Sequence, residues 1–157
     1  MQDAFPINVV LDDIRSALNV GAIFRTCEAT NIDTLYLTGI TPYPPHNKIP
    51  KTALGAVANV NWIHNKNRLQ VLNKLKKKNN RIISVEITNN SKDLYQFDFQ
   101  SPSALVFGHE VNGVDNKILE ISNDIVHIPM FGKKESLNVA TSCGIVLYEI
   151  IRQLKYS

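Results

Sequence analysis

Residues 128–151 read IPMFGKKESLNVATSCGIVLYEII. The left end, Ile128-Pro129-Met130, closes a strand-like run, a turn follows around Gly132, and the right half is an apolar helix expected over residues 137–154. Strand, turn and buried helix in that order are one step of an α/β chain. Two polar side chains, Ser136 and Asn138, stand at the mouth of that helix. Ser136 can cap it through its hydroxyl. Asn138 then falls in the first turn, where asparagine is a mediocre helix former, so capping accounts for Ser136 and leaves Asn138 without a reason. The five small residues at 140–144 let another backbone approach closely, either the domain's own sheet or a partner subunit.

Outward from this stretch, short apolar runs alternate with helical patterns. Strands are expected at 7–11, 34–40, 60–63, 81–87, 103–108 and 124–130, and helices at 19–31, 51–58, 67–78 and 116–122. Asn31 is placed to end the first helix in a left-handed conformation, and the prolines at 42, 44, 45 and 50 mark a loop. The fold class read from this alternation is α/β, a largely parallel sheet flanked by helices. The Val- and Ile-rich strands fit a sheet covered on both faces. With 157 residues, no internal repeat and no linker composition, a single domain over 1–157 is expected.

Several classes are excluded. No apolar run reaches the ~18–20 residues of a membrane span, and the N-terminus lacks the pattern of a signal peptide, so a cytoplasmic protein is expected. Cys27 and Cys143 form no Cys-x-x-Cys pair, and the four histidines show no ligand spacing, so no metal is expected. The P-loop pattern fails for want of its lysine, and no G-x-G-x-x-G exists. The net charge of +3 is concentrated in residues 66–81 and in Lys133-Lys134. Such clusters can track a phosphate backbone, although residues 76–78 also suit the solvated end of a surface helix.

Ligands of parallel sheets bind beyond the carboxyl ends of the strands. That rule selects the turns after 7–11, after 103–107 and before Asn138. Gly108, Gly113 and Gly132 lie in the last two. Glu110 reads either as an exposed turn carboxylate or as a site group. Arg25 reads either as a surface partner of Glu28 or as a site group, and Asn19 as an N-cap or a site group.

Together, NVGAIFRTCEA (19–29), LVFGHEVNGV (105–114) and IPMFGKKESLNVATSCGIVLYE (128–149) resemble the three motifs of the SpoU/TrmH family of the SPOUT superfamily, RNA ribose 2′-O-methyltransferases. The resemblance spans nearly the whole chain. It implies a C-terminal deep trefoil knot in the SPOUT fold, a homodimer, S-adenosylmethionine (SAM) as methyl donor and structured RNA, tRNA or rRNA, as acceptor. Members of the family commonly carry an added RNA-binding domain or terminal helices around the catalytic core, and the expectation here, a single domain over 1–157 without one, departs from that pattern. The motif positions imply Arg25, Asn19, Glu110, Ser136 and Asn138 as the catalytic group. Leu105, Phe107, Gly108, Ile128, Met130, Ser136 and Leu137 are implied to hold the cofactor, largely through backbone groups. RNA contacts fall to Arg25, Lys51, Lys133, Lys134 and the lysines at 74–78. An arginine is a poor base at neutral pH, so Arg25 is read as positioning the phosphate and stabilising the developing alkoxide. The rival reading is a knotted RNA-binding factor that has lost catalysis.

Overall fold

The computed structural model describes residues 2–157. Among them, seven strands form one parallel sheet: β1 (Phe5–Asp12), β2 (Ile32–Thr38), β3 (Trp62–His64), β4 (Arg81–Val85), β5 (Lys92–Asp93), β6 (Ser103–Phe107) and β7 (Asp124–His127). Their order across the sheet is β3-β2-β1-β6-β4-β7-β5. Five helices cover it: α1 (Ala17–Thr30), α2 (Pro50–Ala53), α3 (Arg68–Lys77), α4 (Asn116–Ile121) and α5 (Val139–Tyr156).

The central strands are apolar on both sides because both sides are covered. From β1, Ile7, Val9 and Leu11 pack with α1, α2 and α5, while Val10 packs with α3 and α4. In β6, Leu105 and Phe107 join the first layer, and Ala104 and Val106 the second. The expected α/β class with a parallel sheet is therefore found.

Several boundaries differ from expectation. The Arg81 strand stops at Val85 and the Asp124 strand at His127, so Glu86, Ile87, Ile128 and Met130 leave the ladder and become available to a site. β2 ends at Thr38 because Gly39 turns with φ +63°. The helix expected at 51–58 is broken at Leu54 and Gly55, both in the left-handed region, into α2 and a separate 3-10 turn. β5 escaped notice because two residues, Lys92 and Asp93, carry no periodicity.

Asn31 ends α1 at φ 49°, ψ 49°, as expected. Within the small residues at 140–144, Gly144 lies beside α1, where an added methyl group would sit 3.9 Å from the Thr26 methyl, and Cys143 joins the core layer shared with α1 and the sheet. Cys27 and Cys143 are buried, free thiols at this crossing. The adjoining Cys143 side chain, together with burial, pushes the Cys27 thiol well above its ordinary value.

Candidate active site

A cleft of about 650 Å³ opens where β4, β6 and β7 end. Its walls are the residues just past those strands: Val85, Glu86 and Ile87; then Phe107 to Val111; then His127, Ile128 and Met130. Residues 135–139 and Ser142 close it from the mouth of α5. This cleft lies at the carboxyl edge of the strands, the place where parallel sheets bind ligands.

The capping expectations are reversed at both helices. Ser16, not Asn19, caps α1, its hydroxyl accepting the Asn19 N–H. Asn138, not Ser136, caps α5, its Oδ1 accepting the N–H groups of Ala140 (2.8 Å) and Thr141 (3.2 Å). Both asparagine amides have a further use. Asn138 Nδ2 donates to Asn19 Oδ1 at 3.1 Å, and Asn19 Nδ2 donates to Glu110 Oε2 at 3.3 Å. The three segments singled out in the sequence are joined by this chain of hydrogen bonds.

Glu110 is its anchor. Its carboxylate accepts the N–H groups of Arg15 (2.9 Å) and Ser16 (3.0 Å) at the positive end of α1. Partial burial pushes its pKa up, but those backbone donors and the Asn19 amide outweigh it and hold the carboxyl below its ordinary value. Glu110 is therefore ionised and acts as a clamp between two loops, not as an exposed turn carboxylate. Its stabilisation is fully present above the unfolded value and is lost as pH falls through the lowered folded one. Wild type should thus unfold at a higher temperature than Glu110→Gln at neutral pH, and acid titration should narrow that gap below about pH 4. A gap independent of pH would show that the charge is irrelevant.

Glu86 clamps the same loop from the other side. Its Oε2 accepts the Val114 N–H and its Oε1 the Ile87 N–H, each at 2.9 Å. Gly113, at φ +72°, lies against this carboxylate, and any side chain there would collide with it. His109 Nδ1 accepts the N–H groups of Val111 and Asn112, both at 3.0 Å, which tightens the turn.

Of the sequence-derived cofactor residues, Phe107, Gly108, Ile128, Met130, Ser136 and Leu137 line the cleft. Leu105 does not: it is fully buried inside β6, facing the α1–α5 layer. Glu110, Ser136 and Asn138 line the cleft, with Asn19 bonded to two of them. Arg25 is exposed on α1, does not line the cleft and makes no ion pair with Glu28. It stands six residues along the helix from Asn19, about 9 Å of rise. Lys133 and Lys134 are exposed in the loop that closes the cleft, and Lys51 is exposed at the start of α2. Thr52 of α2 donates to the Leu18 carbonyl, which puts Lys51 beside the first turn of α1. The lysines at 74–78 lie at the end of α3 that feeds the start of β4, on the sheet edge opposite the cleft.

Glu86, His127 and Glu135 were missed. Glu86 was hidden because residues 81–87 read as one strand. A strand end drawn two residues earlier would have exposed it.

The cleft carries three carboxylates, Glu86, Glu110 and Glu135, and neither lysine nor arginine. Among the described residues no cluster suits a metal ion. Fold and cleft together define an α/β protein with an open cleft, rich in carboxylates, at the carboxyl edge of a parallel sheet. Residues 6–148 match the model of the SpoU rRNA Methylase family, and the chain belongs to that family. It is 32% identical over 149 residues to the tRNA (guanosine(18)-2′-O)-methyltransferase of Aquifex aeolicus, covering 92% of this chain and 68% of that protein. It is also 32% identical to the 23S rRNA (guanosine-2′-O-)-methyltransferase of Ralstonia nicotianae, over 94% of this chain and 59% of the relative. The AdoMet-bound rRNA methyltransferase of Sinorhizobium meliloti superposes with a TM-score of 0.88 at 26% identity, over 96% of this chain and 57% of that one. The chain therefore spans between about half and two thirds of the length of these proteins.

Proposed function

We propose that this chain is a SAM-dependent methyltransferase that modifies a ribose 2′-hydroxyl of structured RNA. The observation that carries this reading is the hydrogen-bonded chain Asn138–Asn19–Glu110, which closes one wall of an acidic cleft at the sheet edge. Family membership and the names of the relatives support it.

The cleft fits the donor. Phe107, Ile128, Met130 and Leu137 offer apolar surface for an adenosine, and the carboxylates suit a sulfonium and an ammonium group. A phosphate-bearing nucleotide would meet three negative charges and no cation, so a cationic donor is selected over it. SAM supplies an activated methyl group when bound, so the protein's task is orientation. Glu110 and Asn19 hold Asn138 at the rim, which fixes the backbone of residues 135–138 against the bound donor. Arg25, exposed and without a carboxylate partner, is available to an RNA phosphate and to charge developing on the attacking oxygen. Lys51, Lys133 and Lys134 lie on the same edge for backbone contacts.

The reading extends to a trefoil knot, a homodimer and a cytoplasmic location, in a single methyltransferase domain. Support for the knot comes from the segment at 86–102, which crosses from β4 to the far edge strand β5 and returns to β6 beside β1. It lies against α5, where Gln153 accepts the Phe99 N–H and donates to the Phe97 carbonyl. Support for a dimer comes from large apolar side chains left exposed on α1 and α5, Leu18 by 45% and Tyr148 by 54%. No helix among the described residues is long and apolar enough to cross a membrane.

The test is incubation with SAM labelled on its methyl group and a total tRNA and rRNA mixture, followed by digestion to nucleosides. Label in a 2′-O-methylnucleoside is the expected result. RNA binding without label transfer would replace this reading with that of a catalytically inactive RNA-binding factor.

A further inference from the structure

The carboxyl edge of the sheet does not stop at the cleft. Glu110 holds the Arg15 N–H, and from there the loops after β1, β2 and β3 are tied together. The Ile14 N–H donates to Thr41 Oγ1 (3.1 Å), the Ile40 N–H to Asp13 Oδ1 (3.0 Å) and the Gly39 N–H to the Lys66 carbonyl (3.2 Å). The result is a ledge running from the cleft wall to the β3 edge. On it the rings of Tyr43 and His64 stack, with centroids 3.7 Å apart and planes inclined by 20°. Tyr43 is 45% exposed despite this contact, and Ile40 beside it is 64% exposed. Arg15, Lys48 and Lys66 are exposed on the same loops. The nearby carboxylates of Asp12 and Asp13 are engaged by Arg68, so they offer little repulsion to an anion.

An aromatic pair needed only for packing would gain most by burial. This pair instead presents a tyrosine to solvent among cations, the combination that receives unpaired nucleotides through stacking and phosphate contacts. The spacing also fits. β3 and β6 are three strand steps apart, about 14 Å, which roughly four stacked nucleotides span at about 3.4 Å each. We propose that the Tyr43–His64 stack is a platform for an unpaired base of the RNA substrate, a few nucleotides from the one whose ribose enters the cleft. The inference rests on the RNA reading above and adds where flanking nucleotides are held. Stacking tolerates any base, so the platform selects for unpaired structure and not for sequence.

The experiment measures binding of a fluorescein-labelled, unpaired 12-nucleotide RNA of mixed sequence, alongside SAM binding and methyl transfer to the tRNA and rRNA mixture. Tyr43→Ala should weaken RNA binding roughly 5- to 150-fold, with SAM affinity unchanged, and Tyr43→Phe should retain it. Equal RNA affinity of Tyr43→Ala and wild type would overturn the platform and assign the stack to loop bracing alone. A measurement without any substitution guards against misfolding. Ultraviolet cross-linking of wild type to the same RNA carrying 4-thiouridine should place adducts on Tyr43 or its neighbours, and adducts confined to other surfaces would overturn the proposal. Wild type that binds RNA through Tyr43 yet transfers no methyl group would leave the platform standing and remove the enzymatic reading.

Discussion

Arg25→Ala should lower the rate of methyl transfer by roughly 10²–10³-fold, the scale of losing one group that stabilises developing negative charge. SAM affinity should be unchanged. The reason is positional: Arg25 is exposed on α1 and forms no part of the cleft wall, so its removal leaves the donor site intact. Arg25→Lys should recover only part of the rate, because a lysine lacks the planar fork that grips a phosphate. Single-turnover transfer with saturating SAM, set beside equilibrium SAM binding, separates the two effects. Unaltered transfer would show that Arg25 serves neither the phosphate nor the attacking oxygen, and weakened SAM binding would return it to the cleft.

The second large effect is on stability. Arg68, at the start of α3, donates to Asp12 at 2.8 Å and to Asp13 at the end of β1, and lies 3.8 Å from Asp115. Asp12 is only 2% exposed. Its burial pushes its pKa above the ordinary value, outweighing the hydrogen bonds from Thr38 and Arg68 that pull it down. Arg68→Ala would leave a buried carboxylate beside another, which costs about 3–5 kcal/mol. For a chain of this size that lowers the unfolding midpoint by roughly 6–20 °C. Asp12 then takes up a proton more readily folded than unfolded, so the variant should regain stability relative to wild type as pH is lowered toward the unfolded value. A midpoint within a degree or two of wild type at neutral pH would show that Asp12 is relieved some other way. The loops that Arg68 pins lead into the Tyr43 ledge, so RNA binding should weaken with this variant as well.

The fold class was readable because each strand of a doubly covered sheet is a short Val- and Ile-rich run and each helix repeats near 3.6 residues. Both are local properties of the chain. Strand ends were less readable. Glu86 and Ile87 continue the β4 run in composition, yet they leave the ladder because the chain there turns outward into the cleft. The caps were misassigned for a related reason. Ser16 and Asn138 sit at non-helical dihedrals, and a polar residue near a helix start does not reveal which of several neighbours takes that conformation.

The site itself was partly legible. Glycines, a glutamate and two asparagines past the ends of apolar runs marked the loops that form it. The residue Asn138 that capping seemed unable to explain turns out to cap α5 and, with its remaining amide hydrogens, to bind Asn19.

By itself, then, the sequence determined the α/β class and the family, and it pointed to the carboxyl edge where the cleft lies, because these rest on periodicity and on motifs continuous along the chain. Only the tertiary structure decided that Glu110 is a clamp on α1, that Leu105 is buried away from the cleft and that the lysines at 74–78 face the opposite edge. It also brought Tyr43 onto His64. Those facts depend on contacts between segments 20 to 120 residues apart, and no local pattern of side chains encodes which distant backbone will arrive beside them.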